Sequence, residues 1–467
     1  MRAYSRARRT DDRAARRIPL RTHDRPAPNL NVEIVTIGDE LLLGFTVDTN
    51  SAFIGRELAN IGVTVSRRTA CGDDIDVMVQ TIREALDRTG AVITTGGLGP
   101  TADDMTVEAI AKLSGREMQR DDSIARWLEE RWLAYRRSGA MPESNYKQAM
   151  IPRGAEIIEN PVGSAPGVLV TDERGRWVAT LPGVPREARA MFMESLRPRI
   201  AARSGTGVVI RSLTLRTVGI GESAIADRLG ELGKGVNGLS LAFLPGIAGV
   251  DLRLTSRGLA SDATNAALAD AARLLREQLG EAIYGENDQS LASIVIGACR
   301  VAGMRIAVAE SCTGGMLGAH ITEVAGASDV FHGGLIAYDN RVKRQLLGVL
   351  ESDLDEHGAV SEPVARQMAK GIRVRLGTEI GVSITGVAGP AGGSPEKPVG
   401  TVWIGLDVLE GRPPIPRPDG YPPVAPYDKA RVFHFVGNRE EIRYRAVQAA
   451  LDMIRRMVLD LPKLPAI

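Results

Sequence analysis

The sequence predicts an α/β protein, with two three-layer α/β domains joined by a small α+β module. Three observations predict it. β-Branched apolar runs that end in glycine, such as VEIVTIG from Val32 and AVITTGG from Ala91, alternate with amphipathic segments of helical period. That alternation implies a parallel sheet with helices on both faces. It fades near residue 203 and returns from Ser290, and the stretch between carries only two strand–helix units. The expected divisions are an Arg-rich extension (1–30), a first domain (31–203), a middle module (204–287) and a last domain (288–467).

In the first domain, TNSAFIGRELANIG sets Phe53, Ile54, Leu58 and Ile61 at helical spacing and stops at Gly62. VTVSRRTACG reads as the second strand, DIDVMVQTIREALDRTG as a helix with Val77, Ile82 and Leu86 on its apolar face, and AVITTGG as the third strand. A helix over DDSIARWLEERWLAYRR and an irregular region over 139–200 complete the domain. The middle module runs VVIRSLTLRTVG, GESAIADRLGELG, LSLAFLPGIAGVDLRLTS and an Ala/Leu-rich helix at 260–279. It shows no catalytic constellation and is expected to space or dimerise the two ends. The last domain reads as a helix at 290–303, strand MRIAVA, helix TGGMLGAHIT, strand GGLIAY, helix SEPVARQMAKGIRVRLG, strands IGVSITG and GTVWIGLD, and a final helix at 438–460. GRPPIPRPDGYPPVAPYDK (411–429) is too Pro-rich for regular structure and reads as an exposed loop. Residues 1–30, rich in Arg and without an apolar stretch, read as a disordered extension and not as a secretory signal.

A chain of 467 residues calls for two or three domains, and 44% hydrophobic with 25% charged residues is the balance of an ordinary globular protein. A net charge of +1 points to neither nucleic acid nor membrane. Cys71, Cys299 and Cys312 are too few and scattered for a disulfide framework, which suits a cytoplasmic protein, and the five histidines lack ligand spacing.

Two constellations carry chemistry. The first is TTGGLGPTADD (94–104), at the C-terminal edge of a predicted strand, where open α/β sheets bind ligands. Thr95, Gly96, Gly97 and Gly99 would let the backbone approach a phosphate. Asp73, Asp74, Asp103 and Asp104 would supply oxygen ligands for a divalent cation, with Asp39 and Glu40 at a third strand end. The alternative is that these Asp and Gly residues serve only turns and helix caps. IGDELLLG, VDTNSAFIGREL, TTGGLGPTADDMT, NYKQAMIPRGA, NPVGSAPG and LPGVPREA resemble the N-terminal domain of the CinA family, itself similar to the molybdopterin-binding MoaB/MogA-like fold. That resemblance puts functional aspartates at Asp73 and Asp104 and implies metal-dependent hydrolysis of ADP-ribose to AMP and ribose 5-phosphate.

The second constellation begins with VAESCTGG (308–315), where Ser311, Cys312 and Thr313 precede Gly314 and Gly315. A hydroxyl or thiol needs a base to act as nucleophile. His320 and His332 read as structural or surface residues. Tyr338, Asn340 and Lys343 follow the next strand, and a desolvated Lys beside a Tyr and a Ser can serve as base. Thr385, in SITGVAGP after a later strand, could help hold an oxyanion or phosphate. AESCTGG, YDNRVK and ITGVAGPAGGSPEKPVGTVW resemble the C-terminal domain of CinA, a nicotinamide mononucleotide deamidase that releases nicotinate mononucleotide and ammonia. The resemblance implies Ser311 as nucleophile, Tyr338 and Lys343 as assistants, and ligand contacts at Thr313, Ser328, Asn340, Thr385, Gly386, Ala388 and Arg443. It implies a homodimer and no cofactor for this reaction. Asp339 stands where the family usually has Ser.

A thiolate at Cys312 is the rival nucleophile, since helix N-termini lower thiol pKa values. Thr313 reads as an N-cap or ligand contact. The rival functions are a deamidase whose N-terminal domain only senses a pterin or nucleotide, and a non-enzymatic partner in competence or recombination.

Overall fold

The computed structural model describes residues 30–136, 139–204, 208–409 and 429–461. Residues 1–29 of the expected Arg-rich extension (1–30) and residues 411–428 of the expected Pro-rich loop (411–429) lie outside the described residues. The chain forms two compact units that meet at residues 210 and 211.

The first unit runs β1 (Asn31–Ile37), α1 (Asp39–Leu42), α2 (Thr49–Asn60), β2 (Thr64–Cys71), α3 (Ile75–Thr89), β3 (Ala91–Thr95), α4 (Thr106–Ser114), β4 (Met118–Arg120), α5 (Asp122–Arg136), β5 (Met150–Pro152), β6 (Glu156–Ile158), β7 (Gly167–Thr171), β8 (Trp177–Leu181), α6 (Pro185–Met191) and α7 (Arg197–Ser204). Its main sheet has the order β2-β1-β3-β8-β7-β6. β2, β1, β3 and β8 are parallel, β7 runs antiparallel to them, and β6, antiparallel to β7, runs with the rest. The sheet is therefore mixed, which corrects the expectation of a parallel one. Three of its strands lie inside 139–200, the region expected to be irregular. Each is only three to five residues long, too short for a period to show.

One core on α2 and α6 covers one face of this sheet, and another on α3 and α4 covers the other. On α3 the buried stripe is Met78, Val79, Ile82, Ala85 and Leu86, while Val77 is exposed. Helical phase explains the offset: at about 100° per residue Val77 stands roughly 140° from Ile82 and roughly 180° from Leu86, whereas Met78 is in phase with both.

The second unit holds the middle module and the last domain: β9 (Val208–Thr217), α8 (Glu222–Leu229), β10 (Ser240–Pro245), β11 (Val250–Ala260), α9 (Ser261–Leu279), β12 (Ile283–Glu286), α10 (Leu291–Ala302), β13 (Ile306–Glu310), α11 (Met316–Thr322), β14 (Phe331–Ile336), α12 (Asn340–Leu347), α13 (Glu351–His357), α14 (Glu362–Leu376), β15 (Ile380–Gly386), β16 (Thr401–Val408), β17 (Ala430–His434) and α15 (Arg439–Val458). The module's sheet is β10-β11-β9-β12, and α8 and α9 close its core. The domain's sheet is β14-β13-β15-β16-β17, in which β16 alone runs antiparallel to the other strands.

The module does not stand apart as a spacer. Val218 joins the core under α10 and α15. Asp452, 1% exposed on α15, accepts from Arg455 Nε and Arg456 Nε at 2.8 Å each. Arg455 then donates to the Glu281 carbonyl at 2.7 Å. A buried acid between two arginines is costly to break, because the partners stay charged without it. Asp452→Ala should cost about 3–5 kcal/mol. In peptide-resolved hydrogen exchange it should accelerate exchange across 288–461 and leave 31–204 unchanged.

Candidate functional sites at two sheet edges

In the first unit the C-terminal ends of β1, β3 and β8 open on a cavity of about 410 Å³. Gly96, Gly97 and Gly99 line it with Asp73, Asp103, Asp104, Glu40 and Glu187. Gly96 is required by space and conformation: its φ is +105°, and a Cβ there would sit 2.1 Å from the Ile37 carbonyl, whereas one on Gly99 would only displace the Asp104 carboxylate. Thr95 lies buried within β3 and is not part of the cavity wall. Asp104 Oδ2 accepts from the Thr101 N–H at 2.9 Å and from its hydroxyl, which pins the turn before α4.

Asp73 and Asp39 exchange backbone-to-carboxylate bonds of 3.0 and 3.3 Å. Burial pushes the Asp73 carboxyl up, and the charges of Asp39, Glu40 and Asp103 push it further. Asp103 is held below the usual range by the Thr101 hydroxyl.

The four aspartates do not act together. Asp74 is exposed, lies outside the cavity and accepts from the N–H groups of Asp76 and Val77 as the α3 cap. Among the described residues no three His, Cys, Asp or Glu side chains stand close enough to hold an ion. Asp73, Asp103 and Asp104 are nonetheless hard oxygen donors on one wall. Gln148 adds a buried Oε1 with no partner, while its Nε2 donates to the Leu98 carbonyl. No more than two of these carboxylates could meet on one cation, whose shell substrate oxygens would have to complete, the habit of Mg²⁺. Gln148 and Glu187 were missed in the sequence. Both lie in the quoted motifs, but a loop glutamine and an acid in a helical first turn look like ordinary surface residues.

In the second unit the edge is formed by β13, β14 and β15. Glu310, 1% exposed at the end of β13, turns its carboxylate into the start of α11. Oε2 accepts from the Gly315 and Leu317 N–H groups at 3.0 Å, and Oε1 from Gly318 at 2.8 Å. Residues 311–315 are therefore a turn and not the first turn of a helix, as expected from TGGMLGAHIT. Gly314 and Gly315 take φ of +60° and +95°, and α11 starts at Met316 with Gly315 at its N-cap position. Thr313 is not the cap. Its Oγ1 is buried without a partner, and its carbonyl accepts from Arg443 at 2.7 Å.

Ser311 is 8% exposed, and its N–H donates to the Ile384 carbonyl at 2.9 Å, which ties the turn to β15. Lys343 is 1% exposed, and its Nζ donates to the Tyr338 carbonyl at 3.1 Å. Burial holds its pKa below that of free lysine, against opposing pulls from Asp339 and Cys312. The Tyr338 ring is exposed, and its hydroxyl accepts from Arg439 at 3.4 Å. Arg439 also donates to the Gly389 carbonyl at 2.6 Å. Ser311, Lys343, the 386–389 loop and the first turns of α15 thus close a ring at one sheet edge.

Cys312 lacks the helix terminus that would activate it, and burial pushes its thiol up to about 11. Asp339 caps α12, accepting from the Arg341 N–H at 2.7 Å and pairing with its guanidinium at 3.2 Å, so its charge is largely met there.

Other expected contacts divide. Thr385 Oγ1 donates to the Ala359 carbonyl at 2.7 Å. Gly386 is required by β16, since a Cβ would meet Val402 at 2.7 Å, and Ala388 is buried beside it. Asn340 is exposed at the start of α12. Ser328 is not brought to this edge. It lies on the 3-10 turn that leads into β14, at the opposite end of the strands, because the chain must cross the sheet before β14 begins. Glu310 and Arg439 were missed: the Glu310 partners are backbone amides, which leave no mark in the sequence, and the Arg439 partners lie far away along the chain.

An α/β domain with a glycine-walled acidic cavity, and a second with a Ser–Lys edge held against a small α+β module, define a multidomain protein built around sheet-edge ligand sites. The family models that match are a CinA C-terminal domain over 288–415, a probable molybdopterin binding domain over 33–202 and a damage-inducible protein CinA KH domain over 212–285. A CinA-like protein of Gemmatimonas aurantiaca is 55% identical over 429 residues, covering 91% of this chain and 96% of its own. A CinA-like protein of Salinibacter ruber is 42% identical, covering 80% of this chain and 90% of its own. The crystal structure of a CinA protein of unknown function from Thermoplasma acidophilum is similar at 38% identity, with a TM-score of 0.34, over 36% of this chain and 98% of its own. The chain belongs to the CinA family. Among the described residues no helix is long and apolar enough to cross a membrane.

All three cysteines are buried, with thiols pushed up to about 11, 12 and 11 for Cys71, Cys299 and Cys312. At pH 8 a thiol of that kind is ionised to about one part in a thousand or less. Iodoacetamide should therefore leave the native protein unlabelled over a period in which the urea-unfolded chain labels fully, read by mass spectrometry.

Proposed function

We propose that the last domain hydrolyses the carboxamide of nicotinamide mononucleotide to nicotinate mononucleotide and ammonia. The observation that carries this reading is Lys343, buried at the edge that holds Ser311, with its pKa depressed and a single carbonyl as its hydrogen-bond partner among the described residues. A neutral amine there is a general base. Lys343 takes the Ser311 hydroxyl proton as Oγ attacks the amide carbon. The proton passes to the departing nitrogen, which leaves as ammonia, and water then cleaves the ester to return the serine. Arg443 and Arg439 meet the substrate phosphate, and Thr313 Oγ1 gains the partner it lacks.

The base form of Lys343 grows as pH rises through a pKa below that of free lysine. Ammonia release should therefore climb with pH and level off at a lower pH than a free lysine base would give. Ser311→Ala should abolish it and Cys312→Ala should retain it. Ammonia lost only in Cys312→Ala, or absent from folded wild type, would refute the assignment.

The acidic cavity of the first unit supports a second activity, cleavage of ADP-ribose to AMP and ribose 5-phosphate. At most two of Asp73, Asp103 and Asp104, with Gln148 Oε1 and substrate oxygens, would hold a divalent cation, which when bound offsets the charge of the pyrophosphate. The glycine-lined backbone admits the phosphates, and Asp104 fixes the turn that shapes their seat. AMP release should need added Mg²⁺ or Mn²⁺ and should fall at least about a hundredfold in Asp104→Asn, the scale of losing one preorganised charged contact. ADP-ribose that binds but is not cleaved would instead favour a nucleotide-sensing domain.

A further inference from the structure

The second unit contains a cavity of about 350 Å³ away from the Ser311 edge, where the middle module meets α15 and β17. Two glycine-bearing turns form one wall. One is Gly219–Gly221, between β9 and α8; the other is Gly246–Gly249, between β10 and β11. The facing wall is Phe433, Phe435, Arg431 and Arg445.

Several features set it apart from a packing gap. Arg445 Nε is buried and has no hydrogen-bond partner. An unsatisfied buried donor on a cation is an expensive lining for a space with no occupant. The nearest acid in the wall, Asp452, is already held by Arg455 and Arg456, so it does not cancel the Arg445 charge. Phe433 and Phe435 stack with centroids 5.4 Å apart and planes within 8°, and Arg431 lies 5.3 Å from the Phe433 centroid. The wall thus presents a flat apolar surface beside a guanidinium. Glycines opposite let a ligand reach the backbone, and Gly221, at the N-cap of α8, offers no side chain to fill that helix end.

We propose that this cavity is a binding site for a nucleoside monophosphate, its phosphate on Arg445 and its base against the Phe433–Phe435 pair. The size falls in the range of small-ligand pockets. A guanidinium presents paired donors to phosphate oxygens, and aromatic faces accept any base. The site is independent of the reading of the Ser311 edge. Arg445, Gln448 and Asp452 share the face of α15 that lines the cavity, whereas Arg443 contacts the Ser311 turn.

The test places a reporter in the wall. Phe435→Trp in the full chain should show saturable quenching on titration with AMP, above the background from wild type. Combining it with Arg445→Ala should weaken the apparent affinity about tenfold or more, the loss of one charge-assisted phosphate contact. Arg445→Lys should recover part of it. The same titration with Ser311→Ala and Asp104→Asn added should leave the quenching intact, which separates this site from the two sheet edges. No saturable quenching in a folded Phe435→Trp protein, or quenching that Arg445→Ala leaves unchanged, would overturn the proposal.

Discussion

The Glu310 carboxylate fixes more of the last domain than any other group. By accepting three N–H bonds from the first residues of α11 it fills the helix end that an anion would otherwise occupy. Two things depend on that. The Ser311–Gly315 turn is held outside the helix, so its three reactive side chains are placed by loop geometry and not by helical spacing. The positive end of α11 is also spent internally, which leaves Arg439 and Arg443 as the cations that face this edge. Both come from α15, whose own start is closed by the reciprocal Asn438–Glu441 cap.

The two sheet edges solve the approach of a ligand differently. In the first unit the backbone itself is the wall, and glycine is obligatory at Gly96 because a side chain there would collide with the Ile37 carbonyl. Acidity is concentrated there, enough to raise Asp73 through its neighbours. In the second the wall is made of side chains: a buried lysine, a buried threonine hydroxyl and two arginines on carbonyls. The first arrangement suits a ligand that arrives with a cation, the second one that arrives as an anion.

Much of this was legible in the sequence. Apolar runs of five to seven residues ending in glycine located β1, β3 and β15, and helical periods located α2, α3, α14 and α15. TTGGLGPTADD and AESCTGG marked the two edges correctly. What escaped was set by tertiary contact. The stripe on α3 was misplaced at Val77, which is out of helical phase with Ile82 and Leu86; Met78 is the residue the period requires. β6, β7 and β8 were lost because short buried strands show no alternation. Ser328 was assigned to an edge that the topology denies it. Glu310 gave no signal, since its partners are backbone amides that any sequence possesses.

The Asp452 network gives modularity a physical limit. The family boundary at 288 separates the last domain from the module before it, as if the two could be exchanged freely. Yet Arg455 ends its hydrogen bonds on Glu281, seven residues upstream of that boundary, and Val218 lies in the last domain's own core. A gene that recombined at 288 would transfer a domain with an open electrostatic circuit and a missing hydrophobic plug. A last domain that stood without the module would need this face of α15 rewritten, and Asp452, Arg455 and Arg456 are the residues that would have to change.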